Sequence, residues 1–204
     1  MSIVKLNNRG VKDATAFGSI SSLGSLVFIS KQTASSSATI SFTSGIDSTY
    51  KEYLFTFKNI HPATDSTHLQ FQANVAGGSG YNETMTTTHF RAIHDEGGSD
   101  QYVHYHNDPT HLHQGNGTSF QSIASYIGSD NDQNGNGILH LFNPSSTTFV
   151  KNFMSEFSLS NPNNYIQHNF VAGYFNTTSA IDEIQFKMSS GNIDAGDICL
   201  YGIN

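Results

Sequence analysis

Short stretches of alternating apolar and polar residues run through this chain of 204 residues and constrain its fold more than any other feature. In residues 38–43, for example, Ile40 and Phe42 point to one face, and the Thr and Ser residues beside them point to the other. A period of two residues is typical of a half-buried β-strand. No stretch of ten or more residues has the 3.6-residue period of an amphipathic helix. The pattern therefore predicts an all-β protein.

Clusters of Asn, Asp, Gly and Ser separate these stretches and supply the turns between strands. About a dozen strands joined in this way predict a jelly-roll-like antiparallel β-sandwich over residues 26–204. The 15 Phe and 9 Tyr residues fit this class, because aromatic residues favour strands. The single cysteine, Cys199, excludes an internal disulfide, and its apolar neighbours predict a buried, inert thiol.

Charge and motif content exclude several classes of function. Charged residues make up 12% of the chain and the net charge is −7, whereas a general nucleic-acid-binding protein needs a basic face. No apolar run approaches the 18 residues of a membrane-spanning helix, so we expect no membrane insertion. No Gly-x-Ser-x-Gly motif occurs, and the adjacent acidic pairs 95–96 and 182–183 point to opposite faces of a strand. We therefore expect no enzymatic activity.

Residues 1–25 differ from the rest of the chain. They are rich in Gly, Ser and other small residues, and they hold three of the nine basic residues. This composition predicts an extended arm that docks on a partner; a first strand preceded by a disordered lead is the alternative. The residues that we expect to make the contact are Lys5, Leu6, Arg9, Val11, Lys12 and Phe17.

Four of the ten histidines form two His-x-His pairs on either side of the turn-forming residues 107–110. Residues two apart on a strand share a face, so a hairpin closed by this turn would place His106 opposite His111 and His104 opposite His113. The four imidazoles would then hold Zn²⁺ or Ni²⁺, form a pH-responsive patch, or form a polar surface without a special role. The sequence leaves these alternatives open.

The same region has part of the first cupin motif, which makes a cupin-like metal-binding protein an alternative interpretation. Gly98, His104 and His106 have the spacing of that motif, but His111 occupies the position of its carboxylate and Gly117 falls one residue early. The second cupin motif, with its third histidine, is missing. The departures argue against a metal-dependent enzyme.

Residues 130–135, Asp-Asn-Asp-Gln-Asn-Gly, match the first half of a calcium-binding loop. Asp130, Asp132 and Asn134 are the candidate Ca²⁺ ligands. Leu141 occupies the twelfth position of the loop, where a bidentate Glu is required. Turn chemistry alone also produces such a pattern, so both interpretations stand.

Three further segments carry a resemblance. They are IVKLNNRGVKDATAFGSI near the N-terminus, STYKEYLFTFKNIHPATD at Ser48–Asp65, and SGNIDAGDICLYGIN at Ser190–Asn204. These segments resemble virion structural proteins of tailed bacteriophages, particularly phages of marine cyanobacteria. In such proteins an N-terminal segment precedes a jelly-roll-like domain that closes on a G-x-I-x-L-Y-G-I strand, which corresponds here to Gly196–Ile203. The middle of the chain, with the histidines, is not covered.

The resemblance implies a structural role at the surface of the phage particle. The chain would be a tail fibre or other tail component that contributes to host adsorption, or a capsid decoration protein that stabilises the head. Its partners would be other virion proteins and further copies of itself, with a homotrimer expected. A host-surface glycan is a further expected partner, because Tyr81, Tyr102 and Tyr105 could stack on sugar rings; plain packing is the alternative for these tyrosines.

Overall fold

A computed structural model of the protein describes residues 25–105 and 112–204. These residues form twelve strands and no helix. None of the described residues, accordingly, belongs to a helix that could span a membrane. The strands are β1 (Leu26–Ser37), β2 (Ile40–Phe42), β3 (Glu52–Pro62), β4 (Thr67–Val75), β5 (Met85–Asp95), β6 (Gln101–Tyr105), β7 (Gln121–Ile127), β8 (Gly135–Phe142), β9 (Lys151–Ser160), β10 (Tyr165–Phe175), β11 (Ile181–Met188) and β12 (Ile193–Ile203).

The strands form two sheets that pack face to face as a sandwich. The larger sheet has eight strands in the order β1-β12-β3-β8-β9-β10-β5-β6, and the smaller sheet has four in the order β2-β11-β4-β7. Every strand pair is antiparallel. The prediction of an all-β antiparallel sandwich is therefore confirmed.

Phenylalanine rings join the two sheets. Phe186 of β11 lies at the centre of this cluster, and its ring centroid is 5.3 Å from that of Phe55 and 5.1 Å from that of Phe57, both on β3 of the other sheet. Within its own sheet it also meets Phe42 at 6.2 Å and Phe71 at 6.3 Å. All five rings are buried, so the cluster removes a large apolar area from water.

A glycine on β8 lets two of the core rings meet within the larger sheet. Gly137 lies between Phe57 and Phe157 in the strand register, and those two rings are 5.3 Å apart. A Cβ at Gly137 would lie 2.3 Å from the Phe157 ring, closer than any side chain allows. The absence of a side chain at Gly137 of β8 is therefore explained by the packing of these two rings.

The smaller sheet is too narrow to cover the whole inner face of the larger one. Phe71 of β4 reaches β9 and β10 of the larger sheet, whereas β5 and β6 lie beyond the edge strand β7. Residues 112–120 fill part of this space: Leu112 is fully buried, and the Thr87 amide on β5 donates to the Gln114 carbonyl at 2.8 Å. A non-strand segment thus completes the sandwich over β5.

Cys199 does not lie in the core. It is partly exposed on the outer face of the larger sheet, between Lys31 of β1 and Thr56 of β3, while Ile198 and Leu200 point inward. The expectation of a buried thiol is therefore wrong. Apolar residues occur on both faces of this strand, so hydrophobicity alone did not identify the inward one.

The predicted N-terminal arm lies almost entirely outside the described residues, which begin at Ser25. The carbonyl of Ser25 accepts a hydrogen bond from the amide of Asn204 at 2.9 Å, so the β domain starts and ends at the same place. The assignment of residues 1–25 as an arm stays a prediction, as do its contact residues Lys5, Leu6, Arg9, Val11, Lys12 and Phe17.

The phenylalanine cluster predicts a large effect of a single truncation. Replacing Phe186 with Ala should lower the free energy of unfolding by about 3–5 kcal/mol, because it leaves a cavity between the sheets. Phe149, with 67% of its surface exposed, is the control, and its replacement with Ala should change stability by less than about 0.5 kcal/mol. Urea denaturation measures both values. Equal effects of the two variants would contradict the assignment of the core.

Candidate functional site

The histidine-bearing strand β6 forms one edge of the larger sheet. It pairs with β5, where Arg91 lies opposite His104. Residues 112–114 are not in a strand, so the predicted cross-strand pair of His104 with His113 is wrong. His113 instead lies beside Tyr105, with 5.6 Å between the ring centroids.

The structure brings together only part of the predicted metal site. His104 and His113 belong to the described residues, whereas His106 and His111 lie outside them. Within residues 25–105 and 112–204, no group of three or more His, Cys, Asp or Glu side chains is arranged to hold a metal ion. Metal binding by the four histidines thus stays a prediction.

A different histidine, His89 of β5, is fully buried between the sheets. Its Nδ1 donates to the carbonyl of Leu112 at 2.9 Å, and its Nε2 lies 2.9 Å from the side-chain amide of Asn169 on β10. Burial lowers the pKa of His89, although both of these hydrogen bonds act in the opposite direction. The Asn169 atom that faces Nε2 is Oδ1, which also accepts from the Ser125 hydroxyl at 2.6 Å.

Side-chain amides extend this buried polar network from one sheet to the other. Gln167 of β10 donates from Nε2 to the carbonyl of Ser125 on β7 at 2.6 Å. Gln121 of β7 accepts from the Thr87 hydroxyl at 2.6 Å and donates to the carbonyl of Leu112 at 2.6 Å. At this end of the sandwich the polar network therefore takes the place of the phenylalanine cluster. It also holds the start of residues 112–120 through the Leu112 carbonyl.

Sequence reasoning assigned no role to His89. Its position was predictable, because the alternation in residues 84–94 places it on the same face as Met85, which is also buried. Its partners Leu112 and Asn169 were not, since they come from two distant segments of the chain.

The candidate calcium ligands lie in a loop that is organised by protein hydrogen bonds. The backbone amide of Gln133 donates to the Asp130 carbonyl at 2.8 Å, and the side-chain oxygen of Gln133 accepts from the backbone amide of Asp130 at 3.2 Å. The Asn134 side-chain oxygen accepts from Asn136 at 2.7 Å. Asp132 is exposed. Turn chemistry accounts for these contacts, and calcium binding stays a prediction.

The outer face of the larger sheet is unusually apolar. Among the described residues, nine large apolar side chains are the most exposed, and seven of them lie on this face. An antiparallel sheet that faces water normally carries polar residues at these positions. Exposed apolar side chains in this number on one sheet face are typical of a site of protein contact. The seven residues are Leu26, Phe28, Phe90, Val103, Tyr105, Met154 and Ile166.

Charged groups on this outer face are largely paired with one another. The Nδ1 of His140 contacts Glu52, and His168 lies 4.0 Å from Glu156. At the β1 edge the Thr33 hydroxyl and, after it, the Lys31 ammonium lower the pKa of Asp197. Pairing reduces the cost of moving these charges out of water, so a partner could cover this surface.

Met154 is the most central of the exposed apolar side chains, and it stands between two shallow clefts. One cleft, of about 240 Å³, is lined by Ile138, His140 and Phe142 of β8 together with Met154. The other, of about 490 Å³, runs from Met154 to Tyr174 of β10. Well-packed interfaces have complementary shapes, in which a protruding side chain of one partner fills a recess of the other, and this region offers both features.

The three tyrosines that could stack on sugars are held differently. Tyr81 is fixed, because its hydroxyl donates to Glu183 Oε2 at 2.9 Å. Tyr102 and Tyr105 lie on opposite faces of β6 and are 43% and 50% exposed. Only Tyr105 belongs to the outer face.

Comparisons with known proteins identify no relative. No protein-family model matches the chain, and neither the search of curated proteins nor the search of solved structures found a significant match.

Burial of His89 predicts a loss of stability in mild acid. Since its pKa is lowered in the folded state, the unfolded chain binds more protons below the ordinary histidine value of about 6.5. The free energy of unfolding should therefore fall as the pH drops from about 6.5, by up to about 1.4 kcal/mol per pH unit for this one group. Urea denaturation at pH 5 to 8 measures the dependence.

Two variants isolate the contribution of His89. His89→Gln should be less stable than the wild type at pH 8, because the network is broken, but its stability should fall less between pH 6.5 and 5. His94→Gln, on the exposed part of the same strand, should retain the wild-type dependence. If His89→Gln retains it too, His89 is not the group responsible.

Proposed function

We propose that the protein is a non-enzymatic structural protein of a tailed-phage particle, a tail fibre or other tail component that presents its β-sandwich for host adsorption. The observation that carries the proposal is the apolar outer face of the larger sheet. A protein of a phage particle can bury such a surface against its neighbours, whereas monomeric soluble proteins rarely expose one. The resemblance of Ser48–Asp65 and Ser190–Asn204 to virion proteins supports the phage context.

The occupant of the outer face is a second copy of this chain. Eight strands spaced about 4.8 Å apart, each with about eight residues in contact, present a surface on the order of 900 Å². A stable interface needs about 800 Å² from each partner, so one copy suffices to cover the face. Glu52 contacts His140 and Glu156 lies 4.0 Å from His168, so both carboxylates on this face have a polar neighbour within the same copy.

We also infer that the sandwich is an expanded jelly roll. A simple jelly roll has eight strands in two sheets of four, in which each early strand pairs with a late one. The order β1-β12-β3-β8 beside β2-β11-β4-β7 agrees with this arrangement. The hairpins β5–β6 and β9–β10 are then insertions that double the width of one sheet. This assignment supports the domain type that the resemblance implies.

Capsid decoration is the second structural role to separate from the first. Immunogold labelling of purified phage particles makes the distinction, because label on the tail alone supports the proposal and label over the head supports decoration. A chain that lacks residues 1–20 should still fold but should not enter particles. If intact particles of a phage that encodes the full-length chain bind no label, any role in the virion is contradicted.

A substitution at the centre of the outer face tests the interface in solution. Met154→Glu places an unpaired charge there and should weaken self-association by at least about tenfold. Thr178→Glu is the matched control, since Thr178 is an exposed polar residue in the loop between β10 and β11 and does not lie on the outer face. Light scattering coupled to size-exclusion chromatography, at protein concentrations on the order of 100 μM, gives the mass. Contact between two identical outer faces predicts a dimer, whereas the resemblance implies a trimer. A monomeric wild type would contradict the proposed interface.

A further inference from the structure

A cleft of about 330 Å³ opens on the inner side of the β5–β6 hairpin, beyond the edge of the smaller sheet. Its walls include three tyrosine rings, from Tyr102 of β6, Tyr126 of β7 and Tyr165 of β10. Arg91 of β5 also lines the cleft, together with Asn163 in the loop before β10. The cleft therefore combines one cation, three aromatic surfaces and neutral polar groups.

Among the residues that the structure describes, none gives Arg91 an anionic partner. Its Nη1 donates to the Gln167 side-chain oxygen at 2.8 Å, but it forms no ion pair with any carboxylate in the described part of the chain. Its Nε is buried and has no hydrogen-bond partner there either. Arginine stays charged at all physiological pH values, and a partly buried charge without a counterion is costly. An anionic ligand would remove that cost.

The backbone around the cleft is held in an unusual conformation. Tyr126 has a φ of 60°, a region that a bulky L-residue rarely adopts, and Ser66 in the same wall has a φ of 56°. The Tyr126 amide donates to His68 Nδ1 at 3.1 Å, and this bond helps to fix the residue. The result places the Tyr126 ring 4.9 Å from the Arg91 guanidinium carbon. Strained residues of this kind cluster at ligand sites.

We propose that this cleft binds an acidic sugar, a hexuronic or sialic acid, through its carboxylate. The guanidinium of Arg91 has the planar fork that matches a carboxylate, and no carboxylate among the described residues pairs with it. Tyrosine rings offer the apolar surfaces on which the faces of sugar rings stack. Neutral amides such as Asn163 suit sugar hydroxyls. A peptide carboxylate would use the same arginine but not the three aromatic walls.

The site goes beyond the particle role proposed above and does not depend on it. Sugar binding is measured on the isolated chain, whereas the particle role is measured on virions. Either result can fail while the other holds.

Titration of the full-length protein with single sugars, followed by ligand-observed NMR, tests the site. Glucuronic acid or N-acetylneuraminic acid should bind with a dissociation constant of about 1–10 mM, as expected for one monosaccharide in a shallow site. Binding of glucose should be at least about tenfold weaker, because it lacks the carboxylate. The two acids distinguish a hexuronic from a sialic acid ligand.

Three variants connect the binding to the cleft. Arg91→Lys retains the charge but loses the fork, and it should weaken binding of the better acid by about tenfold. Tyr102→Ala should weaken it severalfold, whereas Tyr105→Ala, three residues away on the opposite face of β6, should leave it unchanged. Both tyrosines are exposed, so these two variants should fold; thermal unfolding checks all three.

Four outcomes would overturn the proposal. They are no binding of either acid at about 100 mM, roughly tenfold above the upper end of the expected range, equal binding of glucose and glucuronic acid, equal binding of N-acetylglutamate and the better sugar acid, and equal effects of Tyr102→Ala and Tyr105→Ala. Equal binding of N-acetylglutamate would mean that the cleft recognises a protein carboxylate instead.

Discussion

The unequal width of the two sheets is the constraint on which the rest of this structure depends. Four strands cannot cover eight, so the phenylalanine cluster around Phe186 fills only the part of the sandwich where both sheets are present. Beyond β7 the inner face of β5 needs another cover. Residues 112–120 supply it, and they are held by a buried polar network centred on His89 together with the buried side chain of Leu112. Further out, the inner side of β6 remains uncovered, and the cleft at Arg91 lies there.

The same widening gives the molecule its large outer face. A sheet of eight strands exposes about twice the area of its partner, and here that area carries Phe28, Phe90, Met154 and Ile166 in place of polar residues. Some ionisable groups on this face contact one another, as Glu52 does with His140. A sheet face with this many exposed apolar side chains is suited to contact with another protein. The two faces of the wide sheet thus have different proposed tasks: assembly on the outside and ligand binding at the inner margin.

The sequence predicted local properties well and long-range ones poorly. Alternation identified the strands and the inward face of β5, because period and burial are local. It did not predict the burial of Lys151, whose ammonium donates to the Phe149 and Thr177 carbonyls at 2.8 and 3.1 Å and whose pKa is lowered by burial. It misplaced Cys199, because both faces of β12 are apolar. The pairing of His104 with His113 was wrong for a different reason: β6 pairs with the preceding strand β5, and residues 112–114 form no strand.

The central claim is that the outer face of the larger sheet is buried against another copy of the chain in the phage particle. A cryo-electron microscopy map of that particle, at a resolution that shows strands, tests it most directly. The account predicts tail density in which the β8–β9 region of one copy, with Met154 at its centre, packs against a second copy. Tail or head density in which this face is open to solvent would contradict the account.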